Sequence, residues 1–128
     1  MQRFLPGQRN AVTLAGTGAP GTITLSCPTD ILLDGDNYLF ITDYRTNRIV
    51  RQGPTGFRCI VGCSGGNAAE PFRLILPRSI AFDSQGNLFV VDSGNGRIQK
   101  FLLIGNVLGK QATCDRYDAS CFLPQVLT

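Results

Sequence analysis

The stretch "GNLFVVDSGNGRIQKF", Gly86–Phe101, repeats a motif that the chain has already used once, in "NYLFITDYRTNRIVRQ", Asn37–Gln52. The two stretches align without a gap when each residue is compared with the one 49 positions later. Eight identities share this offset, and in the first copy they are Pro28, Ile31, Asp34, Leu39, Phe40, Asp43, Arg48 and Ile49. The chain therefore contains an internal repeat, the signature of a repeat architecture.

The similarity extends beyond these two copies. "AVTLAG", Ala11–Gly16, resembles "FRCIVG", Phe57–Gly62, and "QRF", Gln2–Phe4, resembles "QKF", Gln99–Phe101. Met1 then falls in the middle of a strand. We expect the sequence to begin partway through a repeat.

Within each copy the residues predict strands. Tyr38–Thr42 is β-branched and aromatic, as buried strands are, and Arg48–Gln52 and Phe57–Val61 follow after short turns. In the second copy, Asn95 and Gly96 predict a tight hairpin turn in which both residues take positive φ. No segment has a sustained helical period. Four short strands at a period of 46 to 49 residues predict an all-β fold of propeller blades, each a four-stranded antiparallel sheet.

The pattern Pro-x-x-Ile…Asp…Gly-Asn-Leu-Phe-Val-Val-Asp…Asn-x-Arg-Ile-x-x-Phe resembles that of NHL-repeat proteins, closely in Leu76–Phe101 and well in Cys27–Gln52. The resemblance implies a propeller, typically six-bladed and part of a longer chain. It divides this chain into the trailing half of a blade (1–16), a linker (17–24), a blade (25–62), an inter-blade loop (63–73), a second blade (74–109) and an irregular tail or start of a further blade (110–128).

Half a blade and two blades make an incomplete ring, with sheet edges and faces exposed to other chains. Three interpretations are open. The chain is a fragment of a longer propeller, or it assembles with copies of itself, for example as a trimer, or it is a degenerate product that folds marginally. Repeat architectures need about three units for stability, and the mid-strand start favours the fragment.

The composition is that of a globular chain, with 43% hydrophobic and 16% charged residues. A net charge of +3 is smaller than a nucleic-acid-binding domain usually carries. No apolar run is long enough for a membrane span, and the first residues lack the apolar stretch of a signal peptide. The five cysteines favour an oxidising compartment and therefore an extracellular or secreted parent protein.

Two pairs of charged residues invite an active-site interpretation, namely Asp43 with Arg48 and Asp92 with Arg97. Each pair flanks the same predicted hairpin, so an Arg fork can satisfy the carboxylate and nearby backbone carbonyls together. A feature that occurs in every repeat builds the repeat, whereas a catalytic site is expected once per ring. We therefore expect these to be structural hairpin pairs.

Other motifs predict no catalysis, cofactor or metal. "GTGAPG", Gly16–Gly21, matches a dinucleotide-binding pattern, but Pro20 and the β-branched residues after it forbid the required helix. "DGDN", Asp34–Asn37, lacks the alternating ligands of a calcium loop and predicts a turn. The chain has no histidine, which removes a Ser-His-Asp triad and the usual imidazole base. It also removes the histidine-held metal of the amidating lyase found among NHL-like propellers, so we expect no enzyme.

The cysteine spacings miss the tight C-x2-C pattern of zinc knuckles, and disulfides fit better. Cys59 and Cys63 would lie about 13 Å apart in a straight strand, whereas a disulfide needs Cα atoms within about 7 Å. The chain must bend, and Gly62 lies where it could. We predict a Cys59–Cys63 disulfide and a second one, Cys114–Cys121, with Cys27 left free or packed in a sheet.

Loops carry the remaining candidates for recognition, because propellers present their loops from a rigid ring. The candidate binding residues are Tyr44, Arg45, Asn47, Arg73, Arg78 and Asn95. Some NHL propellers bind RNA on a basic face, but here acidic residues are interspersed and no aromatic run offers stacking platforms.

The preferred function is a non-catalytic scaffold whose partner is a protein or further propeller blades. Two alternatives come from the resemblance. One is the RNA- or substrate-recognising part of a ubiquitin-ligase-type NHL protein, whose RING spacing is absent from this chain. The other is a fragment of an extracellular amidating-lyase-like propeller enzyme, with its essential residues elsewhere.

Overall fold

Antiparallel sheets make up the described part of the protein. A computed structural model describes residues 1–4, 6–7, 11–16, 23–63, 73–103 and 121–125. These residues form a two-stranded hairpin and two four-stranded sheets. The all-β fold of propeller blades in an incomplete ring, predicted from the sequence, is confirmed.

The strands follow the chain in simple order. The N-terminal hairpin pairs β1 (Gln2–Phe4) with β2 (Ala11–Thr13). The first sheet has the strand order β3 (Pro28–Leu33), β4 (Leu39–Asp43), β5 (Arg48–Gly53) and β6 (Gly56–Val61). The second sheet has the order β7 (Pro77–Phe82), β8 (Leu88–Asp92), β9 (Arg97–Leu103) and β10 (Phe122–Gln125).

The first three strands of the two four-stranded sheets share the same register and one irregularity. Asp43 lies opposite Arg48 in the first sheet, as Asp92 lies opposite Arg97 in the second. The register between the first two strands shifts after Pro28 in one sheet and after Pro77 in the other. The sequence repeat is therefore also a repeat of strand register.

Strand β10 comes from a segment without a counterpart in the sequence repeat. Phe122–Gln125 lies within residues 110–128, which the sequence analysis took as an irregular tail or the start of a further blade. It pairs antiparallel with β9 and completes the second sheet. The predicted linker (17–24) and inter-blade loop (63–73) fall largely outside the described residues.

The hairpin turns differ from the sequence expectation. Tyr44–Thr46 and Ser93–Asn95 each form one turn of 3-10 helix, closed by a left-handed residue. That residue is Asn47, with φ of 57°, in the first hairpin and Gly96, with φ of 60°, in the second. The prediction that Asn95 and Gly96 both take positive φ is wrong for Asn95, because the turn is longer than a two-residue hairpin loop.

The main core lies between the two four-stranded sheets. Phe40 and Ile49 from the first sheet join Leu74, which precedes β7, and buried residues of the second sheet, namely Ile80, Leu88, Val90, Phe101 and Phe122. Phe40 meets Phe82 edge-on at 4.9 Å between ring centroids. A smaller cluster holds the N-terminal hairpin, where Ala15 and Met1 pack on Ile41 and Val50. Among the described residues no helix is long and apolar enough to cross a membrane.

The side-chain hydroxyl of Thr42 is buried without a polar partner. Thr42 is fully buried, and its Oγ1 makes no hydrogen bond. The second copy carries Val91 at the same position. Because an unpaired buried hydroxyl costs free energy, we expect Thr42→Val to raise the free energy of unfolding by about 1 kcal/mol, measured by urea denaturation.

The matched control is Thr29→Val. Thr29 Oγ1 donates a hydrogen bond of 2.9 Å to the carbonyl oxygen of Arg78, so this variant should be destabilised. Destabilisation by Thr42→Val as well would mean that its hydroxyl has a polar partner after all.

Candidate functional site

The Asp43 carboxylate ties the first hairpin to the chain that enters the sheet. Asp43 is fully buried and accepts hydrogen bonds from the backbone N–H of Ser26 (3.0 Å) and Cys27 (2.7 Å). Thr46 Oγ1 donates to it at 2.7 Å. Arg48 Nη2 lies 3.9 Å from the carboxylate and donates to the carbonyl oxygen of Thr24.

Asp92 repeats this arrangement in the second sheet. It accepts hydrogen bonds from Ile75 N–H (2.7 Å), Asn95 Nδ2 (2.8 Å), Arg97 Nε (2.9 Å) and Gln99 Nε2 (3.1 Å). Burial by itself would raise the pKa of Asp92, but these hydrogen bonds outweigh it and leave the pKa below its usual 3.8. The carboxylate is held ionised.

The surroundings of these two carboxylates favour a structural role. Both are enclosed by donors that belong to their own repeat, and each arginine also donates to a backbone carbonyl at the same position, Thr24 in one copy and Arg73 in the other. A general base needs a free lone pair facing a substrate, whereas these oxygens face the entering chain and the hairpin.

The predicted binding residues separate into two groups. In the first group, the Arg78 guanidinium lies over the Tyr44 ring, 5.4 Å from its centroid, and Arg45 is exposed in the same 3-10 turn as Tyr44. The half-buried Tyr44 belongs to the hairpin turn of the first repeat, and Arg78 lies in strand β7 of the second rather than in a loop as predicted, so this patch bridges the two sheets. We call Tyr44, Arg45 and Arg78 the loop patch.

The second group makes hydrogen bonds that shape the loops. Asn47 Oδ1 accepts from Leu76 N–H at 2.8 Å, which joins the two repeats. Asn95 Nδ2 donates to the carbonyl oxygen of Arg73 at 3.1 Å. These asparagines support the fold with the side-chain atoms that could otherwise meet a ligand.

The second hairpin has no room for a side chain where the first carries Arg45. Gly94, its counterpart, donates its N–H to the carbonyl oxygen of Ile75 at 2.7 Å. A Cβ added at Gly94 would lie 2.6 Å from that oxygen, closer than real Cβ contacts come. The two hairpins therefore differ in what their tips can carry.

A third carboxylate, the half-buried Asp30, joins the two repeats and was not predicted from the sequence. Asp30 Oδ2 accepts hydrogen bonds from Ser79 Oγ (2.7 Å) and Ile80 N–H (3.0 Å). Burial would raise the pKa of Asp30, but the bonds from Ile80, Ser79 and Ile31 lower it below 3.8. Asp30 and Ser79 occupy the same position in the two copies of the repeat. Their difference in residue type was the feature of the sequence that could have indicated this bond.

A cavity of about 370 Å³ opens between the β3–β4 and β7–β8 turns. Its charged lining residues are Asp34, Asp36, Asp83 and Arg51, and all of these side chains except that of Asp36 have polar partners among the described residues. Arg51 Nη2 pairs with Asp34 Oδ2 at 2.8 Å, and Asp83 accepts from the backbone of Gln85 and Asn87. In the described part of the chain no group of three or more carboxylate or cysteine side chains could hold a metal ion.

The predicted Cys59–Cys63 disulfide is present, with a Cα–Cα distance of 5.7 Å. The chain bends at Gly62, where φ is +76°. Cys121 is also disulfide-bonded, and Cys27 is a free thiol. Cys114, the predicted partner of Cys121, lies outside the described residues, so that pairing stays a prediction.

Comparison with known proteins identifies the repeat. Residues 74–101 match the family model of the NHL repeat, which confirms the resemblance seen in the sequence. The matched residues include β7 and β8 and carry the complete Asp92 arrangement. No curated protein sequence matches the chain.

The ionised state of Asp92 predicts a pH dependence. Because the folded-state pKa lies below 3.8, its contribution to stability is complete above that pH and is lost as the pH falls through the folded-state value. We expect the free energy of unfolding to fall in acid, with a shallower slope for Asp92→Asn than for the native chain. Denaturant titrations between about pH 6 and pH 2 measure both slopes. Equal slopes would contradict a carboxylate held ionised by folding.

Proposed function

Since residues 74–101 are an NHL repeat, we propose that this chain is a non-catalytic propeller scaffold that binds a protein partner through the loop patch. NHL-repeat propellers generally mediate protein interactions, and a rigid sheet with recognition residues on and beside its loops suits that purpose. The partner meets Tyr44, Arg45 and Arg78 together.

The contact between Tyr44 and Arg78 carries this proposal. The two side chains come from different repeats and stack at 5.4 Å, and Arg78 is exposed. Tyr and Arg are among the residue types enriched at the positions that dominate binding energy at interfaces. Stacking holds both side chains before a partner arrives, which reduces the entropy lost on binding.

The hairpin aspartates support a non-catalytic role. Asp43 and Asp92 are both fully buried and engaged by backbone and side-chain donors. The chain has no histidine to act as a base near neutral pH. Asp43 and Asp92 therefore hold the loops in place on a stable sheet.

A loop exchange tests the proposal. The second hairpin carries Ser93 and Gly94 where the first carries Tyr44 and Arg45, so the double variant Tyr44→Ser/Arg45→Gly uses residues that the repeat already accepts. We expect the variant to capture at least tenfold less of the proteins that the native chain captures, with the amounts quantified by mass spectrometry. That ratio corresponds to about 1.4 kcal/mol, within the range for a Tyr or Arg at an interface centre.

The matched control is Ile98→Ser, a change at an exposed residue of the second sheet outside the loop patch. It should leave capture unchanged, and the circular dichroism melting curve should stay cooperative for both variants. Equal capture by the loop-exchange variant would refute the proposal. Binding of single-stranded RNA in a filter assay, weakening steeply as salt rises and lost in the same variant, would favour the RNA-recognition alternative instead.

A further inference from the structure

The Cys59–Cys63 disulfide closes a small ring at the end of strand β6. That strand carries one extra residue there, because Val50 lies opposite Cys59 whereas the adjacent Ile49 lies opposite Val61. The Cα atoms of the two cysteines are 5.7 Å apart, and Cys63 is exposed. The disulfide therefore brackets a bulge and can be reached by reagents in solution.

The N-terminal hairpin forms the same bend without cysteines. Gly16 is the counterpart of Gly62 at the offset of 46 residues, and the two glycines have φ of +88° and +76°. Threonines, Thr13 and Thr17, stand at the two cysteine positions. The stabilisation from a cross-link grows with the length of chain that it encloses, so this short loop gains little from one. The disulfide is thus an addition to a bend that forms without it elsewhere in the chain.

Gly62 connects the disulfide to the first hairpin. A Cβ added at Gly62 would overlap the carbonyl oxygen of Asn47, which means that the two backbones touch. Asn47 is the left-handed residue that ends the 3-10 turn carrying Tyr44 and Arg45. The bend inside the disulfide ring therefore supports the turn that carries two residues of the loop patch.

Asn47 also connects this bend to the second repeat. Its Oδ1 accepts a hydrogen bond from Leu76 N–H at 2.8 Å, and Ser93 Oγ donates to the carbonyl oxygen of Leu76. Leu76 has φ of 52°, a left-handed conformation that costs free energy in residues other than glycine and persists only where the surroundings hold it. Arg78 of the loop patch follows two residues later. Both halves of the loop patch are thus linked to the disulfide through Asn47.

We propose that Cys59–Cys63 is a reversible redox modification site that controls the loop patch. The co-reactant is a dithiol reductant, and the exchange has two steps. A thiolate of the reductant attacks Sγ of the exposed Cys63, the protein S–S bond breaks, and the Cys59 thiolate leaves and takes up a proton. The second thiol of the reductant then loses its proton and attacks the reductant's own sulfur in the mixed disulfide. This step releases the Cys63 thiolate, which takes up a proton, and a cyclic oxidised reductant, so both electrons gained by the protein come from the dithiol.

The two redox states differ in what holds the inter-repeat contact. In the oxidised state the closed ring keeps the bend at Gly62 against Asn47, and Leu76 stays in its left-handed conformation. Reduction frees the end of β6, so Asn47 loses its backbone support and Leu76 can relax. The loop patch is then no longer held in one arrangement, and partner binding weakens. Control of binding rests on the function proposed above, whereas the change at Leu76 does not.

Hydrogen–deuterium exchange of the full chain, measured by mass spectrometry on fragments that contain Leu76, tests the proposal without a known partner. We expect this amide to exchange about tenfold faster after treatment of the native chain with dithiothreitol. The double variant Cys59→Ser/Cys63→Ser should exchange at that faster rate with or without the reductant. Iodoacetamide labelling of both cysteines, located by peptide mass, shows that the disulfide has opened.

Two glycine variants separate the contact at Gly62 from backbone strain. Gly62→Ala and Gly16→Ala both place a side chain at positive φ, but a Cβ at Gly16 would meet only the side chain of Leu25, at 3.6 Å. We expect Gly62→Ala to speed exchange of the Leu76 amide with the disulfide intact, and Gly16→Ala to leave it as in the native chain. Equal effects of the two variants would overturn the proposal.

The other outcomes are equally decisive. The proposal is overturned by a disulfide that dithiothreitol leaves intact in the folded chain, or by an unchanged rate at Leu76 after reduction. A double variant that still responds to the reductant would assign the effect to the disulfide of Cys121, and one without a cooperative circular dichroism melting curve would make Cys59–Cys63 structural. Either result also overturns the proposal.

Protein capture separates this proposal from the function proposed above. Reduction should lower capture by the native chain and leave capture by the double variant unchanged. If the loop-exchange variant loses capture but reduction does not lower it, redox control of binding is overturned. If neither change affects capture, the proposed function fails, whereas faster exchange at Leu76 still supports the redox site.

Discussion

The buried aspartate at the end of the second strand of each sheet is the interaction on which the rest of the structure depends. Asp43 and Asp92 collect backbone N–H groups from the entering chain and side-chain donors from their own hairpin. A buried carboxylate is costly unless its lone pairs are filled, and here they are filled by groups that must be close for the sheet to form. One side chain therefore fixes where each repeat starts and how its hairpin turns.

The hydrogen bonds between the two repeats involve different kinds of residue pairs from the hydrogen bonds within each repeat. Within each repeat, equivalent residues make equivalent hydrogen bonds. Between the repeats, Asp30 bonds to Ser79, the residue at the equivalent position of the second repeat. Asn47 likewise bonds across to Leu76. Apolar packing between Phe40 and Phe82 surrounds these polar bonds. The junction is therefore directional, because the first repeat supplies acceptors that the second repeat does not carry.

Sequence reasoning predicted the first three strands of each sheet because they recur at an offset of 49 residues, and it predicted β2 and β6 from their likeness to each other at an offset of 46. It predicted the bend at Gly62 because a disulfide between Cys59 and Cys63 required one. It did not find β10, since Phe122–Gln125 has no copy elsewhere in the chain and is held by tertiary pairing with β9. It also missed Asp30, because an inter-repeat bond appears in the sequence only as a mismatch between copies.

The crowding at Gly94 restricts how this surface can change over time. Any side chain at that position would meet the Ile75 backbone, so a substitution there would disturb the hairpin. The corresponding position in the first hairpin holds an exposed arginine and is open to variation. Two copies of a repeat usually provide two hairpin tips at which a new binding specificity can arise. In this chain the tip of the first hairpin has room for a side chain at Arg45, whereas the second has none at Gly94.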